Sequence, residues 1–145
     1  MADGFTLEKS IGYLVNKTAI KLKNELLNNF RAKGFHITTE QWAVLMCLKE
    51  KDGRTQNEIA AKLIKDKTNV SRILDGMQKR QLIVRRAHEN DRRSFRILIT
   101  KKGKALVEDL IPIARRINQT AANHMNKRDI RELGRLMQTI YKNLA

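Results

Sequence analysis

One cysteine, one proline and no long apolar run are the first facts of this 145-residue sequence. A lone Cys47 cannot close an intramolecular disulfide, which suits a reducing cytoplasm. A single Pro112, with no low-complexity tract and no internal repeat, leaves little room for a flexible linker, so one domain is expected. No stretch reaches the ~18 consecutive apolar residues of a membrane span, and no signal peptide is expected. The first apolar segment, 11–26, is broken by Asn16, Lys17, Lys21, Lys23, Asn24 and Glu25. His36, His88 and His124 lie far apart and no second cysteine joins Cys47, so no metal-ligand spacing is present. No phosphate-binding glycine loop, nucleophile–base pair or carboxylate pair stands out either. That argues against an enzyme and calls for no cofactor.

What the sequence has in abundance is positive charge: 30 Lys+Arg against 15 Asp+Glu, a formal net charge of +15. The excess is uneven. Residues 1–50 hold 7 basic against 5 acidic side chains (+2), residues 51–100 hold 13 against 6 (+7), and residues 101–145 hold 10 against 4 (+6). Phosphate backbones are the commonest partner of such a surface. Charge alone does not separate a nucleic-acid binder from an ordinary basic protein.

Hydrophobic periodicity predicts a mostly helical chain. Leu7, Ile11, Leu14, Val15, Thr18, Leu22 and Leu26 recur at helical spacing, which predicts one amphipathic helix over 6–33, stopped at Gly34. Thr38 with Gln41 forms a capping box that opens a second helix over 39–51, apolar nearly all round and therefore buried. Thr55 with Glu58 forms another and starts a short helix through Leu63. Asp66 caps a fourth helix over 67–80, with Val70, Ile73, Leu74 and Met77 as its inner stripe. Segments 82–86 and 94–99 read as strands, the second with Phe95, Ile97 and Ile99 on one face, joined by a polar loop over 87–93. Thr100 caps a long helix over 101–123, which Pro112 should bend. Asn126 caps a last helix to Leu144, striped by Ile130, Leu133, Met137, Ile140 and Leu144.

The expected fold is mainly α with a small β-hairpin wing. A winged helix-turn-helix lobe, about 38–100, is flanked by long helices at about 6–34 and 101–145. Those outer helices carry more apolar surface than so small a lobe can cover, and a symmetric homodimer is the economical solution. Outside its stripe the fourth helix presents Lys67, Thr68, Asn69, Ser71 and Arg72, with Asp75 and Lys79 further along. Arg can pair bidentately with guanine, Asn with adenine, and Ser or Thr with several base edges. The hairpin then brings Asp91, Arg92 and Arg93 to its tip, and a guanidinium suits the narrow, negative minor groove. Each feature also has a plainer reading, a solvated polar helix face and a solvated charged turn. Their succession is rarer than either one.

The runs Asp66-Lys67-Thr68-Asn69-Val70-Ser71-Arg72-Ile73-Leu74, Leu82-Ile83-Val84-Arg85-Arg86, Asn90-Asp91-Arg92-Arg93-Ser94 and Leu98-Ile99-Thr100-Lys101-Lys102-Gly103 resemble the MarR family of bacterial and archaeal transcription regulators over nearly the whole chain. The resemblance implies a winged-helix homodimer on pseudo-palindromic double-stranded DNA, usually as a repressor. It implies that Arg93 enters the minor groove, that Asp91 orients it, and that the first and last two helices dimerise. Gln81 departs from the family pattern by standing where a glycine is usual. The wing lacks the usual proline, and Gly76 lies within the recognition helix.

The resemblance also implies a crevice for a small aromatic acid between the outer helices and the lobe. Trp42, Phe35, His36, Lys17 and Arg116 are candidates by helix membership, although Trp42 reads first as a core residue. Cys47 sits in the buried second helix, where thiols are inert. Two DNA-binding readings remain: a sequence-specific regulator, and a non-specific architectural protein driven by charge alone.

Overall fold

Helix starts follow the side-chain oxygens. In the computed structural model, which describes residues 4–88 and 90–145 without the side chains of residue 88 and residues 91–94, a short 3₁₀ turn (Leu7–Lys9) precedes helix α1 (Ile11–Ala32). Then come α2 (Thr39–Glu50), strand β1 (Arg54–Thr55), α3 (Gln56–Leu63), α4 (Lys67–Lys79), β2 (Ile83–His88), β3 (Asp91–Ile99), α5 (Lys101–Ala121) and α6 (Lys127–Asn143). The Thr38–Gln41 box is formed in both directions, at 3.0 and 3.2 Å. Asp66 Oδ1 accepts from the Asn69 amide at 2.8 Å, and Thr100 Oγ1 from the Gly103 amide at 3.0 Å. Asn126 and Asp129 make a further reciprocal box. Each cap satisfies orphan amides and contributes about 1 kcal/mol.

Four expectations are corrected by the structure. The first helix does not begin at Thr6: Ser10 takes an extended backbone, separating the 3₁₀ turn from α1. The Thr55 box is half formed. Thr55 Oγ1 accepts from the Glu58 amide at 3.2 Å, but Thr55 is itself a strand residue paired with Arg96 of β3. Strand β1 is an element that the local pattern does not predict. The hairpin is longer than 82–86 and 94–99, because Ala87 pairs with Phe95 and His88 with Asp91 across an irregularity. Asp91, Arg92 and Arg93 thus lie by backbone within the span of β3, Asp91 paired with His88 and Arg92 and Arg93 inside the irregularity.

The sheet order is β1-β3-β2, antiparallel throughout. Its inner face, Ile83, Ile97 and Ile99, closes over α2, α3 and α4, which bury Leu45, Leu48, Ile59, Val70, Leu74 and Met77. Phe30 of α1 and Leu110 of α5 complete the core, and Trp42 meets Phe30 edge-on at 5.6 Å. Phe95 shares the face of Ile97 and Ile99 on β3 by alternation but is 41% exposed.

Two features frame the site. Gln81, between α4 and β2, has φ +60°, a left-handed backbone that costs a residue bearing Cβ on the order of 1 kcal/mol. Its carbonyl accepts the Thr100 hydroxyl at 2.6 Å, which holds the turn. Helix α5 runs unbroken through Pro112. By contrast α6 buries none of its residues within the chain: Ile130, Leu133 and Met137 are 42–49% exposed and Leu144 is 82% exposed.

Candidate nucleic-acid interface

The buried stripe of α4 turns the rest of that helix outward. Lys67, Thr68, Asn69 and Arg72 are exposed and Ser71 is half-buried. Lys67, Thr68, Ser71 and Arg72 line one shallow concavity together with Asp75. Four of the five predicted recognition-helix residues are therefore brought onto one surface at the helix N-terminus, where backbone amides add positive potential for a phosphate. Asn69 stands apart. Its amide nitrogen donates to Asp66 Oδ2 at 3.2 Å, which uses one of the two N–H donors and fixes how the carboxamide is turned. Arg72→Ala is expected to cost the preferred DNA site about 1–3 kcal/mol and a scrambled duplex much less. Parallel titrations check this, and equal losses on both would reassign Arg72 to a phosphate contact.

Asp75 is engaged rather than presented to bases. Its carboxylate meets Arg85 Nη1 of β2 at 2.8 Å. The run 82–86 carries the resemblance without marking Arg85 as a partner of α4, although the two-residue alternation of a strand puts it on the face of buried Ile83, toward that helix. Arg86 points to the other face, is exposed, and pairs across the hairpin with Arg96. Arg96 donates to the Gly53 carbonyl at 3.0 Å, tying β3 to the turn after α2. The side chains of Asp91, Arg92 and Arg93 lie outside the described residues.

A crevice of about 460 Å³ opens between the end of α1 and the middle of α5, lined by Asn29, Lys33, Phe35, Asp109, Ile113 and Arg116 among others. It gathers Arg116 and Phe35 from the sequence candidates. Trp42 packs on Phe30 instead. His36 is exposed, and its carbonyl accepts from Arg80 Nη1 at 2.7 Å. Lys17 lies in the first half of α1 with its ammonium 5.3 Å from the Tyr13 ring centre. Lys33 and Asp109 carry no sequence signal, since nothing local links two charged residues from helices so far apart in the chain. Burial pushes the Cys47 thiol above its ordinary pKa, which disfavours the nucleophilic thiolate. Among the described residues no three His, Cys, Asp or Glu side chains gather as a metal site, and no helix is long and apolar enough to cross a membrane.

Residues 37–95, from the end of the α1–α2 connection into β3, match the MarR family. An HTH-type transcriptional regulator of Bacillus cereus is 31% identical over 107 residues, 72% of this chain and 71% of that protein. The transcriptional repressor MprA of Escherichia coli K12 is 27% identical over 103 residues, 68% of this chain. That alignment spans only 58% of MprA. Among solved structures, the Staphylococcus aureus MepR–DNA complex superposes with a TM-score of 0.84 at 25% identity, covering 97% of this chain and all of that one.

Proposed function

The chain belongs to the MarR family, and from that premise we propose that it is a homodimeric, sequence-specific transcription regulator, a repressor that a small aromatic ligand releases from DNA. The observation that carries the reading is the α4 concavity, where Lys67, Thr68, Ser71 and Arg72 surround a capped helix N-terminus beside an arginine-bearing hairpin. A purely architectural binder needs positive charge but no such mixed set of donors and acceptors. In the proposed complex α4 lies in the major groove while Arg93 enters the minor groove, oriented by Asp91 and flanked by Arg92.

A second copy would cover the apolar stripe of α6 and the first half of α1, and would set two recognition helices at palindromic spacing. The α1–α5 crevice supports the ligand reading. Lys33 and Arg116 can receive a carboxylate, while Phe35 and Ile113 offer apolar walls to a ring.

Selection of bound fragments from the source genome, followed by titration of the best site against scrambled duplex, tests the proposal. A palindrome with half-sites about one helical turn apart supports a dimeric regulator. Equal binding to all sequences would leave the architectural role. Arg93→Ala should weaken operator binding roughly tenfold or more, with folding and dimerisation intact. Unchanged affinity would remove the wing from the interface.

A further inference from the structure

We infer that Arg85 is a positioning residue that clamps the recognition helix to the wing strand and so sets how α4 meets DNA. Three acceptors on α4 converge on its guanidinium. Nη1 lies 2.8 Å from Asp75 Oδ1 and donates to Gln78 Oε1 at 2.9 Å, while Nη2 donates to the Ser71 carbonyl at 3.2 Å. Residues 71, 75 and 78 are spaced i, i+4, i+7 and form one stripe of the helix, so the clamp grips about two turns.

Arg85 is held on the inner side of this contact. Its side chain is 17% exposed, against 58% for Asp75. With three of its five donors on α4 and its side chain largely covered, it acts through the helix rather than by reading DNA itself. Ser71 and Asp75 are both clamped and both line the concavity that holds Lys67, Thr68 and Arg72. The clamp therefore fixes one wall of that surface. Strand β2 continues from Arg85 through Arg86 to the hairpin tip, so helix and wing are joined as one body before DNA arrives. A preformed spacing between two contacts spares the ordering cost of docking them separately. An ammonium could not serve. Its three donors spring from one nitrogen, whereas here two separate guanidinium nitrogens meet acceptors on successive turns of α4.

This inference rests on the regulator reading above, and its test keeps the two apart. Full-length Asp75→Asn, Arg85→Lys and Arg85→Met are titrated with the selected operator and with scrambled duplex over a salt series, alongside thermal unfolding. Asp75→Asn is the sharpest variant, because it removes a negative charge from a DNA-facing helix. Simple electrostatics predicts tighter binding to every duplex. The clamp predicts the opposite on the operator: about tenfold weaker binding, with scrambled-duplex affinity unchanged or raised and the salt slope unchanged. Arg85→Lys should behave like Arg85→Met.

Asp75→Asn binding the operator as tightly as wild type, or more so, overturns the clamp. A salt slope lower by about one counterion per protomer in Arg85→Met would make Arg85 a phosphate contact and also overturn it. Equal losses on both duplexes that track a fall in melting temperature would reduce Arg85 to a fold-stabilising residue, and the clamp would fall with that result too. Each of those results, on a wild type with a clear preferred site, removes the clamp alone. A wild type with no preferred site removes the regulator reading and the clamp together.

Discussion

Truncation before Asn126 is expected to leave a folded lobe that no longer dimerises, elutes as monomer or aggregate, and loses operator affinity by at least a hundredfold. The expectation follows from where the apolar surface lies. Ile130, Leu133, Leu136, Met137 and Tyr141 of α6, Leu144 just after it, and Ile11, Leu14 and Leu22 of α1 are all more than 40% exposed in the single chain. Burying the exposed half of each such side chain is worth about 1 kcal/mol, so these nine residues give roughly 18 kcal/mol in a symmetric pair. Association costs an estimated 4–15 kcal/mol. With α6 the balance favours the dimer. Without it only three side chains per protomer remain, roughly 6 kcal/mol in the pair, which falls inside the range of the cost. The core of the lobe takes nothing from α6, so a cooperative melt should survive. Truncation also removes five basic and two acidic side chains, a net charge of +3. Scrambled duplex therefore serves as the control for lost electrostatic attraction. Sedimentation of the truncated chain as a stable dimer would show that α1 and α5 suffice for assembly.

The parts of this fold that are legible in the sequence are those decided within one or two helical turns. A cap is a contract between residues three apart, and Thr38, Asp66, Thr100 and Asn126 all keep it. The stripe Val70, Ile73, Leu74, Met77 is a statement about one helix, and its members are buried or packed against the core. Gln81 stands where the family pattern has glycine, and it takes the left-handed backbone that such a position demands, with φ +60°. What cannot be read locally depends on distant partners. Strand β1 is two residues long and exists only because Arg54 and Thr55 pair with Ile97 and Arg96 of β3. The crevice joins Lys33 to Asp109 across helices α1 and α5. Asn69 is free to read a base by sequence alone, and its bond to Asp66 shows only in three dimensions. Arg85 is one more arginine in a basic stretch, although strand alternation already aims it inward. The break at Ser10 has no strong local signal, since serine is also tolerated inside helices.

Gly103→Ala should destabilise the fold by roughly 2–3 kcal/mol, the reverse of the ~1 kcal/mol gain that replacing glycine by alanine brings in an unobstructed helix. A Cβ on Gly103 would overlap the Leu82 carbonyl oxygen and lie 2.7 Å from Ile99 Cγ1. Neither neighbour can step aside cheaply. The Leu82 carbonyl accepts the Thr100 amide at 3.1 Å, and the Leu82 amide is bonded to the Met77 carbonyl at 3.0 Å. Ile99 is buried, and its amide is held by Asp52 Oδ1 at 2.9 Å. The start of α5 is thus pressed against backbone at the α4–β2 junction, which also carries Gln81 and leads into Arg85. For a chain of this size the loss corresponds to a melting temperature lower by about 10 °C. Gly76→Ala in α4 is the internal control: its Cβ would meet only Gln41 Nε2, at an ordinary 3.9 Å, so that variant should lose no stability and gain up to ~1 kcal/mol. Thermal unfolding of the two variants decides the matter. If both melt at or above the wild-type temperature, the junction can open by several tenths of an ångström without cost. It would then be too soft to transmit a shift of α5 to the recognition helix, and a ligand in the α1–α5 crevice would have to act on DNA binding through the dimer instead.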